Sequence, residues 1–227
     1  ESGSDGGSTG SPANGTASYR VIPRPDNDLC SGARLLTCGS SSSGSNEYAS
    51  GDDTPSPCAT GGNFEGVWFK FAGTGDVINL NTIGSNFDAS VNVYTGSCGA
   101  FACLGGDEDA AGNNQASYSF CSVVGTTYYA YLDGFNGAVG NYQLNLSCSY
   151  TPPTLNCPTN FSKNTDPNQC SAITTYNPVT PDDNCGLLAT YRIGGPPSGG
   201  LFPTGATVVT WETIDGAGHT ASCSFTV

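Results

Sequence analysis

Residues 66–73 read GVWFKFAG, and this stretch decides the fold class. Between two glycines stand Val, Trp and two Phe, residue types that suit a pleated, half-buried surface. The same signature returns in DVINLNTI (76–83), ASVNVYTG (89–96), QASYSFC (115–121), TTYYAYLDGF (126–135) and GNYQLNLSC (140–148). Each segment alternates and is rich in β-branched or aromatic residues, and Gly, Asn and Asp punctuate the gaps between them. No long stretch carries helical periodicity. Short strands at this spacing predict a β-sandwich over residues 27–150. Trp68, Phe69, Phe71, Val91, Val93, Tyr129, Tyr131 and Leu144 are the candidates for its two faces.

Composition sets the compartment. The chain has 227 residues, of which 11 are Cys, 32 Gly, 14 Pro, and none Met. Without Met at its start, it is expected to be a processed product or a fragment. No run of apolar residues is long enough to span a membrane. A metal role for the cysteines would call for CxxC pairs or Cys with His, but the chain has no CxxC and a single His. Disulfides in an extracellular location are the expectation. The candidates are Cys30, Cys38, Cys58, Cys98, Cys103, Cys121, Cys148, Cys157, Cys170, Cys185 and Cys223, and the odd count leaves at least one thiol unpaired or bonded to another chain. The net charge of −13 repels phosphate backbones and makes nucleic acid a poor partner. Three sequons, at Asn14, Asn145 and Asn160, are candidate glycosylation sites.

The sandwich is preceded by an arm, residues 1–26, whose first part is Gly/Ser-rich without pattern. Within it ASYRVI (17–22) is a short strand candidate, ended by PRPDND (23–28). After the sandwich, SYTPPTLNCP (149–158) is a linker stiffened by adjacent prolines. A second β unit, 151–227, follows, with GATVVTWETID (205–215) and ASCSFTV (221–227) as its clearest strands. Its four cysteines allow three pairings, and two bridges would replace much of a missing core.

Two resemblances refine this reading. The motifs CP at 157, C at 170, PDDNCG at 181–186, GLFPTGATVVTW at 200–211, DGAGH at 215–219 and CSFTV at 223–227 resemble a HYR (hyalin repeat) domain. The resemblance implies an immunoglobulin-like sandwich of the kind found in extracellular, adhesion-linked proteins. It also implies a downstream continuation past Val227. The segments NDLCSGARLL (27–36), GVWFKFAGTGD (66–76), FDASVNVYTGSCGAFACLGGDED (87–109) and GTTYYAYLDGFNGAVGNYQLNLSC (125–148) are similar to a cysteine-rich, jelly-roll-like form of the PPC (pre-peptidase C-terminal) domain. That family is noncatalytic and accompanies secreted hydrolases and surface proteins. The seven cysteines of this unit depart from the even sets usual in such relatives, and Cys98 with Cys103 is the expected local bridge.

His219 is the only imidazole available to an acyl-transfer mechanism, and no G-x-S-x-G elbow accompanies it. HYR domains usually carry Asn at its position, so His219 is read as a turn residue tolerant of left-handed backbone. Paired carboxylates for glycosidic cleavage stay open, since Asp and Glu are abundant and sequence spacing says little about distance in space. The acidic loop GGDEDAAGNN (105–114) is the best ligand candidate. Asp107, Glu108 and Asp109, joined by Asp88, offer the closely spaced oxygens that calcium takes, and related PPC domains carry acidic residues there. Asp182 and Asp183 in PDDNCG are a weaker case, with Asp183–Asn184 expected in an Asx turn. Tyr118, Tyr128, Tyr129 and Tyr131 offer a weak carbohydrate platform, because alternation sends Tyr128 to one face and Tyr129 and Tyr131 to the other.

The expectation is therefore an all-β chain of two tandem sandwiches behind an extended arm, extracellular and noncatalytic, with no organic cofactor. Its function is read as structural or adhesive, with self-association through the arm strand and the odd cysteine into a surface filament. The alternatives are an accessory segment of a larger secreted hydrolase and a carbohydrate-binding adhesin.

Overall fold

A computed structural model describes residues 23–56, 58–59 and 64–227. The strand candidate at 17–22 and the sequon at Asn14 lie outside them. The chain is all-β, as its alternation predicts. The N-terminal unit contains β1 (Arg34–Leu35), β2 (Ser41–Ser45), β3 (Val67–Ala72), β4 (Val77–Asn81), β5 (Ala89–Ser97), β6 (Ala100–Asp107), β7 (Ser117–Cys121), β8 (Thr127–Gly134) and β9 (Asn141–Ser149). Its strands form a five-stranded sheet in the order β1-β3-β8-β5-β6 and a four-stranded sheet in the order β2-β9-β4-β7. Only β1, paired with β3, runs parallel to its neighbour.

The core between these sheets follows directly from alternation. Phe69, Phe71, Val91, Val93, Ala130 and Leu132 from the first sheet meet Ile78, Leu80, Leu144 and Leu146 from the second. The outer face of the five-stranded sheet is buried as well. Trp68, Tyr94 and Tyr131 form a second cluster with Cys30 and Ala33, and Tyr129 and Phe101 pack against it. Segments on both sides of β1 and β2 lie over this face. Trp68 N–H donates to the Asn27 carbonyl (2.8 Å), and Asn27 Nδ2 donates back to the Trp68 carbonyl (3.0 Å). The Tyr131 hydroxyl donates to the Phe64 carbonyl (2.5 Å). The Asp133 carboxylate accepts from Phe64 N–H (2.8 Å) and from the Ser90 hydroxyl. The unit is therefore three layers deep.

The C-terminal unit contains β10 (Thr154–Asn156), β11 (Ser171–Thr174), β12 (Thr180–Asp182), β13 (Leu187–Gly194), β14 (Gly200–Pro203), β15 (Val208–Asp215) and β16 (Thr220–Thr226). They pair as β10-β12, β11-β14 and β13-β15-β16. A small core of Phe202, Val209 and Phe225 is flanked by Phe161, Tyr176 and Trp211. Among the described residues, no sheet mixes strands of the two units.

The disulfides overturn the expected pairing. Cys98 does not bond Cys103. The bridges are Cys30–Cys98, Cys38–Cys148, Cys58–Cys103, Cys121–Cys185 and Cys157–Cys223. The β5–β6 hairpin explains the first correction: Cys103 sits opposite Tyr94, whereas Cys98 lies at the hairpin tip beyond the Ser97–Ala100 pair. The two thiols are therefore not cross-strand partners, and each instead ties down a segment near the outer cluster. The second unit keeps only one internal bridge. Cys185 leaves it for Cys121, and Cys170 is free and exposed.

Candidate functional site

The most elaborate chemistry of the described residues lies where the two units meet. It is built on the β15–β16 hairpin. Asp215 Oδ1 accepts from the N–H groups of Ala217 (2.9 Å) and His219 (2.8 Å), so one carboxylate shapes the whole turn. The left-handed residue of that turn is Gly218, with φ +94°, and not His219. His219 does belong to a turn, but a left-handed backbone is not the reason for it.

The ring of His219 faces the first unit. Its Nδ1 lies 2.9 Å from Asp215 Oδ2 and 3.6 Å from Asp76 Oδ1 in the N-terminal unit. Tyr150 packs edge-on against the ring at a centroid distance of 4.1 Å. Burial alone would raise the Asp215 carboxyl. The His219 N–H, the His219 ring and the Ala217 N–H outweigh it and hold that carboxyl below the usual range. The imidazole thus sits between two carboxylates contributed by different units.

Two further contacts close this junction. The Cys121–Cys185 bridge joins β7 to the residue before the Gly186 turn that leads into β13. Gly75 lies directly against Ala217, so that a Cβ built on it would stand 2.4 Å from the Ala217 Cα. Ser122, next to Cys121, organises the N-terminal side of this contact. Its hydroxyl accepts from Thr74 N–H (3.0 Å) and Gly75 N–H (3.1 Å) and donates to the Asp76 carbonyl (2.9 Å). Gly75, Asp76, Ser122 and Tyr150 were not singled out by sequence reasoning. One signal pointed to a link: seven cysteines cannot all pair inside the N-terminal unit.

As a catalytic centre this arrangement lacks a part. Among the described residues, no Ser, Thr or Cys side chain is hydrogen-bonded to the His219 ring, whose polar contacts are both carboxylates. An Asp–His pair without a nucleophile has the chemistry of a hydrogen-bonded clamp.

The acidic loop is placed differently from a ready ligand cage. Asp107 Oδ2 accepts from Ala110 N–H and Ser117 N–H, each at 2.8 Å, and so fixes the turn. Asp109 is exposed. Asp88 opens β5's approach and lines a cleft of about 370 Å³ with Asn114 and Gln115. Burial, and then the charge of Asp109, push the Asp88 carboxyl above its usual range. Asp88 Oδ1, Glu108 Oε2 and Gln115 Oε1 are buried without hydrogen-bond partners. Among the described residues, no three carboxylate, imidazole or thiol side chains gather as a metal-binding group.

The remaining candidates resolve individually. Asp183 Oδ2 accepts from Cys185 N–H (2.8 Å), which is the expected Asx turn. Tyr128 lies in the sandwich core and Tyr131 in the outer cluster, with Tyr129 packed against the latter, so these tyrosines make no exposed platform. Alternation leaves at most one of these sets exposed, and the covering segments bury that one too. Asn145 Nδ2 donates to Asn81 Oδ1 (2.9 Å) and to the Ile83 carbonyl (3.1 Å), bonds that a glycan there would compete with. Asn160 is exposed, and its Oδ1 accepts from Thr226 N–H (2.8 Å).

Comparison with known families matches residues 149–227 to the HYR domain. No curated protein sequence matches the chain. The HYR segment and the five disulfides fit an extracellular adhesive or structural role. No helix of the described residues is long and apolar enough to cross a membrane.

Proposed function

We propose that this chain is a noncatalytic structural or adhesive segment of the cell surface, with a PPC-like sandwich locked onto a HYR domain so that the pair bears load as one body. The observation that carries the reading is the junction. A covalent bridge, a Gly75–Ala217 backbone contact and a carboxylate–imidazole–carboxylate clamp together oppose the hinge that a linker with exposed Tyr150 and Thr151 would otherwise provide. Single-molecule pulling tests it. The two units should resist separation until the bridge is reduced, and free extension of the linker under oxidising conditions overturns the reading.

The filament form of this proposal adds the arm, 1–26, as a strand donor to a neighbouring subunit and Cys170 as a cross-link. Electron microscopy of native material should show regular fibres, and non-reducing mass spectrometry should show covalent oligomers. Isolated monomers in both experiments overturn it and favour an accessory segment of a secreted hydrolase.

A calcium ion is proposed at Asp88, Asp107, Glu108 and Asp109, with Gln115 Oε1 as a neutral ligand. Gln115 is nine-tenths buried, and its unpartnered oxygen shares a cleft with Asp88. Calorimetry should give saturable calcium binding that Asp88→Asn abolishes. No saturable heat at millimolar calcium removes the ion from the account.

A further inference from the structure

The outer face of the four-stranded sheet is unlike the rest of this acidic chain. Its strands read SSSGS, NYQLNLSCS, VINLN and SYSFC, without a single charged residue, in a protein of net charge −13. The pairing register places Ser41, Asn145, Asn81 and Ser117 in one row across all four strands. Ser147, Asn79 and Ser119 form the next. The apolar side chains between them point into the core.

The amides of this face are ordered by one another. Gln143 Nε2 donates to Asn145 Oδ1 (3.1 Å), Asn145 Nδ2 to Asn81 Oδ1 (2.9 Å), and Asn81 Nδ2 to Asn79 Oδ1 (3.1 Å). Asn79 Nδ2 then donates to the hydroxyls of Ser117 (3.0 Å) and Ser119 (2.9 Å). The relay uses the amide N–H groups inside the sheet. It leaves serine hydroxyls free to donate and spare carbonyl lone pairs on amides that the relay holds in place. Such a surface loses little side-chain entropy on meeting a partner that is itself rich in hydroxyls.

We infer that this amide–serine face binds a neutral polysaccharide. Charge and size select that occupant. A second copy docked on this face brings another net charge of −13 with no opposite charge on the face to offset it, and an anionic glycan is repelled in the same way. At a strand spacing of ~4.8 Å and a rise of ~3.4 Å per residue, the face covers on the order of 300 Å², well below the roughly 800 Å² per partner of a stable protein interface. An uncharged chain of hydroxyls meets neither obstacle. The inference deepens the adhesive reading and rests on it. It uses residues other than the buried tyrosines.

The test is a pull-down of the full chain on cellulose, chitin and mannan particles, with alginate as the anionic control. Two variants separate face from fold. Asn79→Asp/Asn81→Asp breaks the relay and adds charge, and Ser41→Glu/Ser43→Glu adds charge on the edge strand while leaving the relay intact. The expected result is saturable binding to at least one neutral polysaccharide, weakened about tenfold or more by each variant that retains the wild-type melting temperature. If the relay variant fails to fold, the serine variant decides. Wild-type binding that neither variant changes overturns the face as the site and leaves the adhesive reading standing. No binding to any neutral polysaccharide, or a concentration-dependent dimer abolished by the same variants, overturns the proposal itself. The pulling experiment on the junction is independent of either result.

Discussion

Gly75 and Ala217, from different units, are in backbone contact: a Cβ on Gly75 would stand 2.4 Å from the Ala217 Cα and 2.6 Å from its nitrogen. Gly75 also has φ +90°, a conformation that a side chain disfavours. Gly75→Ala therefore meets both a steric and a conformational obstacle. We expect a loss of about 1–3 kcal/mol, measured by chemical denaturation, with faster proteolysis of the linker near Pro152. Unchanged linker protection would mean that the contact does not hold the units together.

The Cys121–Cys185 bridge closes a span of 64 residues that includes the linker. In the chain-entropy model such a bridge is worth about 4 kcal/mol. Its effect here should appear mainly as geometry. Cys121→Ser/Cys185→Ser should broaden the distance distribution between the units in small-angle scattering. The melting of the N-terminal sandwich should change little, because Cys30–Cys98, Cys38–Cys148 and Cys58–Cys103 remain inside it. A scattering profile identical to wild type would show that packing alone fixes the angle.

Asp133 governs a pH response of a different kind. Burial pushes its carboxyl up to about 6, against the lowering effect of bonds from Ser90 and the Phe64 N–H. Between the unfolded value, ~3.9, and this one, the folded state holds a proton that the unfolded state has lost. The contribution is therefore most favourable below about pH 4 and is lost as pH rises through about 6, by up to about 3 kcal/mol. Asp133→Asn cannot ionise. The stability difference between wild type and Asp133→Asn should shift in the wild type's favour as pH falls from 6 to 4. A difference that stays flat across that window would show that Asp133 keeps an ordinary carboxyl.

Cys170 is the one free thiol among the described cysteines, and it is exposed. The monomeric protein should take up one equivalent of a thiol reagent without unfolding, and peptide mapping should place the label on Cys170. Label on Cys121 or Cys185 instead would mean that the junction bridge had been exchanged.

Strand content, the disulfide role of the cysteines and the HYR segment were all legible in the sequence. Each is carried by neighbouring residues: alternation in GVWFKFAG, turn residues between strands, and the CP, PDDNCG and DGAGH motifs. The sandwich-core residues Phe69, Phe71, Val91, Val93 and Leu144 were legible for the same reason, since a period of two assigns each to a face. Alternation could not say whether the opposite face was free. Trp68 and Tyr131 are covered by segments distant in the chain, and that burial depends on where the loops before β3 return. Nor could the sequence choose partners for its cysteines, whose bridges span 45 to 110 residues, or bring Asp76 to His219 across two units. Composition and local period act over a few residues and so determined the elements and the HYR motifs. Pairing, the second buried face and the junction depend on chain segments meeting in space, and only the tertiary structure decided them.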